Sequence, residues 1–187
     1  YCKKKAKELN LDNQVSFELA DYREVRGDYD RIYSVGMFEH VGKKFYNTFF
    51  KSINNLLKTD GIFLLHTIGV VDKPTPPNKF INKYIFPGGA CPSLSQIVKP
   101  IEKTGLIVAD TETLIRHYDK TLLSWLNRFM AKKDLVKDMF DEKFVKMWSF
   151  YLASCAAAFR YKDLAVFQLQ IVKNFNAARP TRDYIYS

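Results

Sequence analysis

A carboxylate and an imidazole stand where an open α/β fold puts reactive groups. Residues 29–36 (YDRIYSVG) form an apolar run that leads into Met37-Phe38-Glu39-His40-Val41-Gly42. Residues 62–68 (IFLLHTI) form a second run that carries His66 near its end. In open α/β sheets, ligands lie outside the carboxyl ends of the strands. If the two runs are adjacent strands, Glu39 and His66 share one rim, where a carboxylate and an imidazole can hold or move a proton. Each has a plainer alternative. Glu39 is also favoured by the dipole at a helix N-terminus, His66 also suits a hydrogen-bonded histidine at a strand end, and His40 suits a turn. His117 belongs to no motif.

Other chemistries lack their signatures. The three Cys (Cys2, Cys91 and Cys155) are widely spaced and odd in number, which makes neither a disulfide framework nor a metal knuckle, and they fit a reducing, cytoplasmic setting. The three His have no partnered ligand spacing, so no metal is expected. There is no glycine-rich phosphate loop and no nucleophile elbow; Gly88-Gly89 follows Pro87 and reads as a turn. No apolar run reaches the ~18 residues needed to span a bilayer, and no signal peptide is visible.

The elements that must position the rim follow from hydrophobic period. Residues 2–9 read as the end of a basic helix, which suggests that the chain starts within an element. Residues 15–19 alternate and read as a short strand. Residues 43–58 put Phe45, Phe49, Ile53, Leu56 and Leu57 on one helical face, with Asp60-Gly61 as the stop. The continuous run 62–68 reads as a strand buried on both faces. Strand, helix and strand with short links make a βαβ unit. Residues 72–78, with Pro74, Pro76 and Pro77, are a loop. Residues 93–104 read as a helix capped by Ser93 and ended by Gly105, and 106–114 as a strand. Two helical stretches, 118–140 and 142–162, precede 164–172, where Val166, Gln168, Gln170 and Val172 alternate with Phe167, Leu169 and Ile171. This predicts a late antiparallel strand. The fold class is α/β, an open Rossmann-like sheet with a helical insertion before its last strand.

The 187 residues suit one domain, and 47% are hydrophobic, enough for a core. The formal net charge of +9 attracts polyanions, either nucleic acid or an anionic membrane. The basic residues are spread along the chain, so charge alone does not choose between them.

Six ordered stretches together resemble the family of cyclopropane-fatty-acyl-phospholipid synthases and mycolic acid cyclopropane synthases. They are DYREV (21–25), YDRIYSVGMFEHVG (29–42), GIFLLHTIG (61–69), INKYIFPGG (81–89), YDKTLL (118–123) and YLASCAAAFR (151–160). The resemblance implies a methyltransferase sheet that uses S-adenosylmethionine, with residues 1–187 as the C-terminal part of the catalytic domain. It implies cofactor contacts at Asp21 and Tyr22, the latter stacking on adenine, and at Val35 and Gly36 beneath the cofactor. It also implies a bicarbonate site made by Glu39, His66, Ile68 (through its backbone) and Tyr118 (through its hydroxyl). The family's glycine-rich cofactor loop, its further bicarbonate ligand (an N-terminal Cys) and its N-terminal helical region are not in this sequence, so this piece alone is expected to be inactive.

The implied reaction is methylene transfer to the cis double bond of an unsaturated phospholipid acyl chain, giving a cyclopropane fatty acid. Aromatic faces can stabilise the developing cation; Tyr84, Phe86, Trp125 and Tyr151 are candidates, with Met37 and Phe38 as pocket lining. Leu122, Leu126, Phe129, Trp148, Tyr151 and Cys155 suit an acyl tunnel or simple helix packing. The implied partners are membrane phospholipid at a peripheral membrane surface and, as is frequent in the family, a second copy in a homodimer. Three other readings compete: a lipid or small-molecule methyltransferase without ring closure, a non-catalytic lipid-binding domain, and a nucleic-acid methyltransferase. The last lacks its D/N-P-P-Y-type motif, since Gly36-Met37-Phe38-Glu39 stands in that place. No nucleic-acid partner is expected.

Overall fold

Alternation along two strands creates the sheet's two unlike faces. In the computed structural model of the protein, which describes residues 1–186, four strands pair: β1 (Tyr29–Val35), β2 (Leu57–Val70), β3 (Ile107–Ile115) and β4 (Leu164–Val172). Their order is β1-β2-β4-β3. β1 and β2 are parallel, while β4 runs antiparallel to both β2 and β3. The antiparallel strand expected from 164–172 therefore sits inside the sheet, between β2 and β3.

Phe63 and Leu65 of β2, with Phe167, Leu169 and Ile171 of β4, point into the larger core. The helices α3 (Tyr46–Leu56) and α5 (Leu94–Lys103) cover that face. Tyr46, Phe49, Phe50 and Ile53 are buried on α3, the three-to-four spacing of one helical stripe. Ile97 and Ile101 do the same on α5. Gln96 accepts the Ser93 N–H at 3.1 Å, closing the start of α5 where the sequence places a cap.

The other face carries the insertion. After β3 come α6 (His117–Met130), α7 (Lys133–Met139) and α8 (Glu142–Tyr161). Leu122, Leu152, Ala156, Phe159 and Val166 make the second core, with Ile68 and Tyr118 packed against it. The turn into α6 places Arg116 at φ 64°, in the left-handed region that L side chains adopt at a cost. The shorter elements are α1 (Cys2–Glu8), α2 (Phe38–Val41), α4 (Lys79–Tyr84) and α9 (Asp183–Tyr186). Among the described residues, no helix is long and apolar enough to cross a membrane.

Some elements differ from expectation. Residues 15–19 form no strand, and Val15, Phe17 and Leu19 are exposed. Alternation makes a strand only where a neighbour completes the ladder, and none pairs with this segment among the described residues. The stretch 118–140 divides into α6 and α7. The helix expected over 43–58 begins with a 3-10 turn and gives way at Leu57, where β2 already starts. β2 is also less buried than its continuous apolar run suggests, because Leu64 is exposed on the face that carries His66.

Candidate active site

Glu39 is held by the short α2 that follows β1. Gly36 takes φ 67°, which lets the chain turn sharply off the strand end. Glu39 is only 9% exposed. Its Oε1 accepts the Ile68 N–H at 2.7 Å, while Oε2 is buried without a hydrogen-bond partner among the described residues. Desolvating a carboxylate oxygen without a partner is costly, so this atom calls for a hydrogen-bond donor that the described residues do not supply. Ala90 N donates to the Glu39 carbonyl at 2.9 Å, fastening the 89–91 segment beside it.

The β2 rim supplies Ile68 and His66. In the register His66 stands beside Val35 on one side and Gln168 on the other. Gln168 Nε2 lies 3.0 Å from His66 Nδ1. The Gln168 amide thus fixes the plane of the His66 ring through Nδ1 and leaves Nε2 as its free nitrogen.

Tyr118 lies in the first turn of α6. Its ring stacks on Phe159 at 5.3 Å and meets Trp125 edge-on at 6.4 Å. The next residue, Asp119, is buried and accepts from Arg160 Nε of α8 at 2.8 Å. This bond joins the two motifs YDKTLL and YLASCAAAFR, and it raises the already high pKa of Arg160.

Glu39, Ile68 and Tyr118 line one cavity of about 1130 Å³ between the sheet and the insertion. His66 is not among its lining residues; it lies two positions before Ile68 on the same face of β2. Of the expected aromatic residues, Phe86, Trp125 and Tyr151 line the cavity and Tyr84 does not. Phe38 is fully buried in the opposite core and Met37 is outside the lining. From the insertion, Leu122, Tyr151 and Cys155 reach the cavity, whereas Leu126, Phe129 and Trp148 pack against the second core. His40 also lines it, with Phe86 edge-on at 5.8 Å. His117 turns away to its own backbone, Nδ1 lying 2.8 Å from the Ile115 carbonyl.

The expected cofactor residues are distributed differently. Gly36 lines the cavity; Val35 is exposed on β1. Tyr22 packs edge-on against Phe49 at 5.4 Å, and burial pushes its phenol up. Asp21 is bound by Arg23 through both carboxylate oxygens, at 2.9 and 2.6 Å. The bonds from the Arg23 side chain and N–H hold the Asp21 carboxyl down to about 2. Neither Asp21 nor Tyr22 lines the cavity.

The cavity holds two thiols. Burial first, then the nearby Glu39 and Cys155, pushes Cys91 up to about 12; burial pushes Cys155 up to about 11. Both are therefore protonated and weakly nucleophilic at neutral pH. No group of three metal-ligating side chains occurs among the described residues.

Sequence reasoning missed Gln168, Cys91 and the Asp119–Arg160 pair. Gln168 had one signal: it is a polar residue on an otherwise apolar strand, on the face opposite Phe167 and Leu169. Its meaning required knowing that β4 lies beside β2.

The sequence model of the family described as mycolic acid cyclopropane synthetase matches residues 1–169. The chain is 43% identical over 155 residues to the cyclopropane-fatty-acyl-phospholipid synthase of Escherichia coli K12, covering 83% of this chain and 40% of that protein. It is 35% identical over 167 residues to a tuberculostearic acid methyltransferase of Mycobacterium tuberculosis, covering 86% and 39%. Thus the chain spans about two fifths of the length of these curated relatives. Among solved structures, mycolic acid cyclopropane synthase complexed with SAH and CTAB is similar at a TM-score of 0.75 and 32% identity, over 82% of this chain and 59% of that one.

Proposed function

Because the chain belongs to the mycolic acid cyclopropane synthetase family, whose fold is that of S-adenosylmethionine-dependent methyltransferases, we propose that the intact protein converts the cis double bond of unsaturated phospholipid acyl chains into a cyclopropane ring. The observation that carries this reading is Glu39: one oxygen fixed on the Ile68 N–H, the other buried and unpartnered, on a large cavity also lined by Tyr118.

When bound, S-adenosylmethionine supplies the methyl group and bicarbonate supplies a base for the proton lost on ring closure. The residues present suit such an anion. Glu39 Oε2 accepts a hydrogen bond from a hydroxyl-bearing ligand, which orients it. The Tyr118 hydroxyl donates to an oxyanion held in the cavity, and His66, which stands outside the lining, is the family position for a second donor. The Ile68 N–H, already bonded to Glu39, sets the carboxylate's angle. Gly36 and Tyr22 are the family positions for the cofactor, joined by Asp21 and Val35. The ring of Tyr151, buried on the cavity wall, favours positive charge developing at the alkene by up to ~2 kcal/mol where desolvated. The apolar walls accept the acyl chain, consistent with the CTAB held by the solved relative. On this reading the enzyme works at a membrane surface, and the homodimer remains part of the proposal.

A second reading, methyl transfer without ring closure, is favoured by the tuberculostearic acid methyltransferase among the relatives. Both reactions add the same mass. The test incubates the intact protein with S-adenosylmethionine and unsaturated phospholipid and examines the product by proton NMR. Upfield ring signals are expected; methyl or methylidene signals instead establish the second reading, and unmodified lipid refutes both.

A further inference from the structure

The mouth of the cavity carries large apolar side chains from four separate segments. Val71 after β2, Phe86 after α4, Trp125 on α6 and Phe150 on α8 all line the cavity, and all are exposed, Phe150 by 58% and Trp125 by 42%. Phe150 meets Phe80 edge-on at 4.9 Å, and Phe80 in turn packs on the exposed Tyr84 at 5.5 Å. Exposed apolar surface this concentrated, rimmed by polar groups, marks an interaction face.

Charge selects the partner. Between Val71 and Phe86 the chain carries Lys73, Lys79 and Lys83 against Asp72 alone, and all three lysines are exposed. None of the three takes part in a salt bridge among the described residues. Lys83 Nζ lies 5.0 Å over the Tyr84 ring, so cation and aromatic occupy one spot. Free cations beside exposed aromatics match a bilayer's anionic headgroups and the apolar zone beneath them.

We propose that this rim is the face on which the protein docks to an anionic phospholipid bilayer. Trp125, Phe150 and Phe86 enter the boundary between headgroups and chains, while Lys73, Lys79 and Lys83 meet the phosphates. The inference rests on the acyl-chain reading of the cavity. A chain leaving the bilayer then passes along an apolar rim into an apolar cavity without crossing water. An acidic carrier protein also answers the lysines, but it has no use for aromatic side chains poised to insert.

The test sediments the intact protein with phosphatidylcholine vesicles that contain or lack phosphatidylglycerol. The wild type is expected to bind the phosphatidylglycerol vesicles. The triple variant Lys73→Glu/Lys79→Glu/Lys83→Glu is expected to bind them about 100-fold more weakly, from ~1 kcal/mol per surface lysine. Tyr84→Ser, which leaves both the lysines and the cavity lining intact, is expected to weaken binding as well. Turnover of the same lipid dispersed in neutral detergent is expected to be unchanged in the triple variant. Variants that sediment like the wild type overturn the docking face, and they do so even if the wild type turns lipid over. Binding of an acidic carrier protein but of no vesicle also overturns it. Rim-dependent vesicle binding without lipid turnover in either form leaves the docking face standing and removes the enzymatic reading instead.

Discussion

Arg160 Nε donates to Asp119 Oδ2 at 2.8 Å, and this bond ties α8 to α6 one residue from Tyr118. Asp119 is buried while Arg160 is half-buried, and Asp119 Oδ1 has no partner among the described residues. The two ends of the pair are therefore not equivalent.

Arg160→Met leaves a carboxylate buried without its cation, which costs more than the pair itself contributes. Asp119→Asn removes the charge and keeps a hydrogen-bond acceptor. The melting temperature of the intact protein is expected to fall by several degrees for Arg160→Met and distinctly less for Asp119→Asn. Equal melting temperatures for both variants and wild type would show that the pair does not brace α6.

Glu39→Gln separates the two oxygens' roles. The glutamine oxygen still accepts the Ile68 N–H, so the fold persists. The amide nitrogen that replaces Oε2 donates and no longer accepts. Turnover by the intact protein is expected to drop by about 100-fold or more, the scale of a lost proton-handling group, with cofactor binding preserved by calorimetry. A variant that turns over like the wild type removes Glu39 from the chemistry.

Gly69 sits where β2 passes Phe167 and the 90–93 segment. A Cβ there would overlap the Phe167 ring and the Pro92 carbonyl oxygen, and the latter is backbone that cannot rotate aside. Gly69→Ala is expected to destabilise by about 1–3 kcal/mol, as overpacked cores do, measured by the urea midpoint. Because Ile68 is the adjacent residue, turnover should fall with it.

The Cys91 thiol gives an alkaline signature. Its folded pKa, about 12, lies above the 9.0 of an unburied thiol. Well below pH 9 neither state ionises appreciably and stability is unaffected. As pH rises from 9 toward 12 the unfolded thiol loses its proton first, and stability declines. The loss is about 1 kcal/mol at pH ~10. Denaturation midpoints at pH ~8 and pH ~10 should differ less in Cys91→Ala than in the wild type. Peptide mapping after alkylation at neutral pH should label the exposed Cys2 well before Cys91 and Cys155.

What the sequence alone determined was local. The alternation of Phe167, Leu169 and Ile171 against Gln168 and Gln170 announced β4 and which residues it buries, because a strand's side-chain period is complete within a few residues. The spacing of Phe49 and Ile53 announced the buried face of α3, and Ser93 announced the start of α5. Glu39 and His66 could be placed at strand ends for the same reason. The tertiary structure decided which groups meet. Glu39 finds Ile68 across 29 positions, Asp119 finds Arg160 across 41, and His66 finds Gln168 across 102. Those partners depend on β4 entering the sheet between β2 and β3, and on the insertion folding back over one face. No short-range pattern carries that information, since a side chain's period records only which way it points and never what will stand opposite. Residues 15–19 show the same limit from the other side: the strand pattern is present, but a strand requires a neighbour to complete its hydrogen bonds.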